Sequence, residues 1–140
     1  MVDLRGARRL HAIGERAITE AVSRGAAFVE AEHVLLAILE GASHDRFAAA
    51  LELERARSLA VVGITAADRL DATPRRGKPG WGASVRDLMK AEKPATTVEL
   101  ATAILRAELG TVPRALAIAR IEPAELVSAV RRTAPDATTA

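Results

Sequence analysis

Three short stretches hold the residues whose chemistry could amount to a function: Glu30-Ala31-Glu32-His33, the basic run Arg75-Arg76-Gly77-Lys78, and Trp81, the sole tryptophan. Glu32 falls where a helix begins. A helix N-terminus offers free N–H groups and partial positive charge to a phosphate, and a carboxylate pairs bidentately with a guanidinium. The same carboxylate could equally do no more than satisfy the helix dipole, a contribution of about 0.3–1 kcal/mol. His33 beside Glu30 and Glu32 suggests a metal site. The three lie too close in sequence, without the i, i+4 spacing of a helical zinc site, and His11 and His44 stand apart, so a structural histidine is expected and no metal. Arg75, Arg76 and Lys78 could meet an acidic partner or nucleic acid, or be a solvated loop. Trp81 is either a lid packing that loop onto the rest of the chain or an exposed anchor for a partner. No nucleophile motif accompanies the histidines, and the scattered Ser and Thr fall at capping positions. No enzyme and no cofactor are expected.

Those residues need a scaffold, and composition says which kind. At 140 residues one domain is the default, long enough to bury a sizeable core. With 49% hydrophobic but only 2% aromatic residues, that core must be aliphatic, and the excess of Ala, Arg, Glu and Leu favours helix. A net charge of +2 describes a mixed surface rather than a strong polyanion binder. The absence of cysteine removes disulfides and thiolate chemistry. No apolar run approaches the roughly 20 residues of a membrane span, and Met1-Val2-Asp3-Leu4-Arg5 lacks a signal-peptide core. A soluble cytoplasmic protein is the expectation.

Periodicity places the elements. Leu10, Ile13, Ala17, Ile18, Ala21 and Val22 recur at helical spacing over Arg8–Ser23, with Gly14 marking a close helix crossing and Gly25 a stop. Ala31 to Leu39 is apolar on nearly every side beyond its first turn, which marks a helix buried among others. Ser43 as N-cap, with Asp45 in the first turn, should open a helix through Phe47, Ala50 and Leu51. Ser58 to Ile64 suits a strand or a helix; the helical surroundings favour helix. Asp71 to Gly82, with two prolines and three glycines between Thr73 and Gly82, reads as a mobile or extended connector. Ser84 should cap a short helix ended by Pro94. Thr96 or Thr97 should cap another reaching about Leu109, with Gly110 as its stop, and Pro113 and Pro123 suit the first turns of the last two helices. The Ala31–Leu39 pattern returns 66 positions on: Val34, Ala37, Ile38 and Leu39 fall on Leu100, Ala103, Ile104 and Leu105.

With Ala17-Ile18-Thr19-Glu20-Ala21, Gly25 and Glu32-His33-Val34-Leu35-Leu36-Ala37-Ile38-Leu39, the first half resembles the first repeat of the Clp amino-terminal domain, which caps Clp-type AAA+ unfoldases. Arg114-Ala115-Leu116 through Ile121-Glu122-Pro123 and Leu126 is similar to the end of that family's second repeat. There are departures. Ala26 stands for the family's His, Ala31 for its Thr, and Val98-Glu99 for Glu-His in the second copy, whose first helix is shortened. No G-x-x-x-x-G-K-[ST] occurs; Gly77-Lys78-Pro79 lacks the leading glycine and the hydroxyl, so the chain is no unfoldase but is expected to be a stand-alone, divergent member.

The resemblance implies an all-α fold of about eight helices in two pseudo-repeated four-helix units, the second abridged. It forms one domain over 1–132 (repeat one 7–71, connector 72–83, repeat two 84–132) before a flexible tail over 133–140. It implies a protein-binding module that recognises substrates, adaptors or a Clp ATPase in proteolysis or quality control. In one branch of the family the acid matching Glu32 helps to bind phosphoarginine. Glu32, Arg75, Arg76 and Trp81 are therefore the candidate binding residues. A small nucleic-acid-binding or regulatory protein using the basic connector is the alternative, and a ligand pocket between the two copies is a third reading.

Overall fold

Helix α1, Leu4–Ser23, buries one stripe: Ile13, Ala17 and Ala21 are each at most 2% exposed. This is the first element of a computed structural model that describes residues 4–61 and 78–134, with side chains from Gly6 onward. Gly25 ends the helix as expected. It takes φ +68°, the Ala26 N–H returns to the Ala21 carbonyl at 2.9 Å, and the Gly25 N–H bonds the Val22 carbonyl at 3.1 Å. These bonds close a Schellman stop, which needs the left-handed conformation that glycine adopts without steric cost.

Strand β1 (Phe28–Val29) leads into α2 (Ala31–Ile38), in which every residue from His33 to Ile38 is buried. Helix α3, Gly41–Val61, turns Phe47, Ala50 and Leu51 inward. It begins at Gly41 itself, so Ser43 and Asp45 lie within the helix and Ser43 is not its N-cap. Residues 58–61, ambiguous in sequence, are helical. Strand β2 (Gly80–Trp81) precedes α4 (Ala83–Glu92), α5 (Thr97–Leu105), α6 (Thr111–Ala119) and α7 (Pro123–Thr133). The chain is thus mostly helical, with seven helices among the described residues; residues 62–77, and with them Arg75 and Arg76, lie outside these.

Helices α2 and α5 touch at the centre. Helix α1 packs on α2, α7 packs on α5, and α3 packs on α6. Phe47, Leu35, Leu36, Ile104, Leu126, Val29 and Val130 are the largest fully buried side chains. Aliphatic burial of this kind, at about 25 cal/mol per Å², is the main force holding short helices that would not persist alone. A polar tie joins α3 to α6. Glu54, 6% exposed, accepts from Arg114 Nε at 3.1 Å and from Ser58 Oγ at 2.9 Å, so its charge is compensated.

Several boundaries differ from expectation for local reasons. The end of the connector is not free: Phe28 pairs with Gly80 and Val29 with Trp81 in a parallel ladder, and the Gly82 N–H donates to the Val29 carbonyl at 2.8 Å. Gly82, not Ser84, is the N-cap of α4. The Ser84 hydroxyl instead accepts from the Ala31 N–H at 2.8 Å and donates to the Glu30 carboxylate at 2.6 Å, so it satisfies the first turn of α2. Helix α5 starts as expected, with Thr96 Oγ1 accepting from the Glu99 N–H at 3.1 Å, but stops at Leu105. Gly110, at φ +105°, then caps the start of α6 instead of the end of α5. Gly14 faces the Trp81 indole, 3.4 Å from where its Cβ would lie, rather than a crossing helix.

Candidate functional site

Apart from Arg75 and Arg76, which lie outside the described residues, the residues singled out in the sequence fall into two clefts, one on each side of the segment from β1 into α2. Phe28, Glu30, Glu32 and His33 line a polar cleft of about 450 Å³ with Arg24, Glu52, Glu54, Arg55 and Thr111. Ala31 and Val34 line an apolar groove of about 810 Å³, whose walls come from α1, β2, α4 and α5. Glu32 belongs to the first and Trp81 to the second, so the structure does not bring them together.

In the polar cleft, Glu32 is largely withdrawn from water. Burial pushes its carboxyl above the ordinary value and the charge of Glu30 adds to this, while bonds from its own backbone N–H and from Thr111 oppose it. The cleft's other charges are engaged. Arg24 pairs with Glu20 at 3.4 Å and Glu52 at 3.6 Å, Arg55 donates to the Arg24 carbonyl at 3.2 Å, and Glu54 is held by Arg114. Among the described residues no cation forms an ion pair with Glu32, nor with Glu30, whose carboxylate accepts from Ser84 Oγ.

His33 is a fold residue here. Its Nδ1 accepts the Glu30 N–H at 2.9 Å, the role that Glu or Gln plays in a capping box, which fixes the proton on Nε2. Burial first, then the charge of Arg24, lowers its pKa to about 4. The other histidines lie elsewhere, His11 beside Glu15 at 3.9 Å and His44 beside Glu20 at 3.1 Å. Among the described residues no three His, Cys, Asp or Glu side chains come together as a metal site.

The groove is the larger feature. Its floor is Val34, Leu100 and Ile104 from the central helices with Ile13 of α1; its flanks are Leu10 and Ile18 of α1 and Val85, Leu88 and Met89 of α4. Trp81 closes one end, its ring against Gly14, while remaining 42% exposed. Helix α4 has no fully buried residue: Val85 and Leu88 are half-buried and Met89 is 38% exposed. An apolar concavity of this size, with an aromatic ring and a methionine at its surface, has the make-up of a ligand-binding surface.

Sequence reasoning offers a ligand pocket between the two copies as a third reading, and the groove is lined from both halves of the chain, but it assigns the aliphatic residues to core stripes and does not place the walls. The available signal was α4 itself, a short amphipathic helix whose apolar face exceeds what its neighbours cover. No helix among the described residues is long and apolar enough to cross a membrane. Comparison of the chain with protein-family models, with curated proteins and with solved structures finds no match.

Proposed function

We propose that this chain is a non-enzymatic protein-binding module of the Clp amino-terminal type, and that it receives apolar segments of substrates, adaptors or a Clp ATPase in its α1–β2–α4 groove. The observation that carries this is the groove, a wide concavity walled by aliphatic side chains with Trp81 and Met89 presented at its surface. The two-unit organisation belongs to the same proposal. It is supported by burial at the repeated positions: Val34 and Leu100 are each 5% exposed, and Ala37, Ile38 and Leu39 match Ala103, Ile104 and Leu105 within a few per cent. A cytoplasmic role in proteolysis or quality control follows from the resemblance.

Trp81, the only tryptophan, makes the test direct, because its emission reports on the groove. An aliphatic peptide should shift that emission and saturate, and Met89→Asp should weaken binding about tenfold or more while the far-ultraviolet dichroism stays unchanged. Placing an unpaired carboxylate against a bound apolar segment costs at least ~1.4 kcal/mol. Unaltered affinity in Met89→Asp would remove the groove from the proposal.

The polar cleft supports a second ligand contact, because Glu32 is largely buried and has no cation partner among the described residues. Phosphoarginine, the ligand that the resemblance implies, carries a guanidinium-type group of the kind that a carboxylate such as that of Glu32 receives. Titrated by calorimetry, it should bind the unmodified chain and lose about tenfold in affinity with Glu32→Ala, on the scale of one charge-assisted hydrogen bond. Equal affinities would take Glu32 off the ligand.

A further inference from the structure

The rim of the apolar groove carries four ionisable side chains: His11 and Glu15 on α1, Lys78 just before β2, and Arg86 on α4. They are not equally engaged. Glu15 is the only acid of the four, and it is shared, with Lys78 Nζ at 3.9 Å from one carboxylate oxygen and His11 Nε2 at 3.9 Å from the other. Among the described residues no carboxylate pairs with Arg86, which is exposed on the groove wall one turn before Lys90 and one residue after half-buried Val85. The rim thus presents an apolar trough bordered by Arg86, whose charge no described residue neutralises.

We infer that the occupant of the groove is an apolar polypeptide segment flanked by an aspartate or glutamate side chain, whose carboxylate is received by Arg86. This rests on the protein-binding proposal above and adds the chemical class of the segment. Arg presents a planar fork of donors that matches a carboxylate bidentately, so an acidic flank gains both charge and orientation there, whereas a basic flank meets like charge. A chain-terminal carboxylate is a poorer fit. Such groups are captured by clusters of free backbone N–H groups, and most of the backbone lining this groove comes from α1, α2, α4 and α5, whose interior N–H groups are already committed.

The experiment follows Trp81 emission in the full chain during titration with acetylated, amidated heptapeptides of Leu, Val and Ala, led by two glutamates, two lysines or two serines. Two further ligands carry a free carboxylate without an acidic side chain: the serine-led peptide with an unamidated C-terminus, and decanoate. For a partly exposed charge pair the glutamate-led peptide should bind about three- to fivefold tighter than the lysine-led one, with the serine-led peptide between them. That ratio should shrink toward one at about 0.5 M salt. Arg86→Ala should level the series and Arg86→Glu should reverse it.

Binding of all peptides with one affinity, or an unchanged ratio in Arg86→Glu, overturns the charge assignment and leaves the groove as a binding site. Tightest binding of decanoate or of the free-terminus peptide overturns the choice of a side-chain carboxylate. Failure of every ligand to bind overturns both the inference and the proposal beneath it.

Discussion

At the scale of single residues, the N-terminus of α2 sets two ionisable groups side by side with opposite pH responses. His33 takes up its proton only near pH 4 in the folded chain, against an ordinary value of 6.5. Above pH 6.5 it is neutral in both states. As pH falls from 6.5 toward 4 the unfolded chain binds the proton and the folded chain does not, so stability declines through that window and levels off below it. Glu32 works the other way. Its folded value lies above the ordinary 4.5, so its protonated form favours the fold at low pH and that contribution is lost as pH rises through the folded value. Glutamine at position 33 keeps an acceptor for the Glu30 N–H but cannot charge. Urea unfolding of the wild type should therefore show a loss on the order of 2 kcal/mol between pH 7.5 and 4.5 that His33→Gln lacks. Equal losses in the two proteins would mean that His33 is not the titrating group.

Helices α1, α4 and α6 stop where the backbone turns left-handed, at Gly25, Lys93 and Arg120, and two of these stops differ in a way that can be measured. Gly25 ends α1 at φ +68°, whereas Arg120 ends α6 at φ +55°, with the Ile121 N–H returning to the Leu116 carbonyl at 2.9 Å and Ile121 buried against the core. The motif is the same, but a β-carbon in the left-handed region costs an L-residue about 1 kcal/mol or more. Gly25→Ala should lower stability by about 1 kcal/mol and Arg120→Gly should raise it by about 0.5 kcal/mol, the gain reduced by the extra freedom of the unfolded chain. Denaturant midpoints would show both.

The same two sites mark the limit of what the sequence carries. The Gly25 stop, the buried stripe of α1 and the buried run of α2 were legible because helical period and glycine are local signals. The Arg120 stop was not, because arginine gives no hint of positive φ. Gly110 was legible as a break but not as the start of α6, since a glycine between two helical patterns fits either role. At the candidate site, Glu32 was legible from its place before an apolar run. A pocket between the two copies was among the readings, but its walls were not legible, because an aliphatic residue lining a concavity and one lining a core look alike until the neighbouring helix is placed.

On the scale of the whole molecule, a small polar clasp beside the groove joins the first and second halves of the chain, in addition to the packing of α2 on α5 and α3 on α6. Two residue pairs of parallel strand bring Val29 to Trp81, and Ser84 on α4 then bonds both the Ala31 N–H and the Glu30 carboxylate at the start of α2. None of this shows as periodicity, since each contact joins residues some fifty positions apart and the strands are two residues long. Gly82 leaves room for it, because a β-carbon there would overlap the Glu30 carboxylate where it now lies. Gly82→Ala must swing that carboxylate off Ser84 and should cost about 0.5–1.5 kcal/mol, the net range of a lost hydrogen bond together with a poorer cap. Ser84→Ala releases the same carboxylate by another route. The two changes together should therefore cost less than their sum, by about 0.5–1 kcal/mol, as coupled neighbours do. Trp81, one residue before Gly82, should move toward more exposed emission in each variant. Strict additivity, with Trp81 emission unchanged, would show that Glu30 and Ser84 do not act together, and that the groove's far wall is held by aliphatic packing alone.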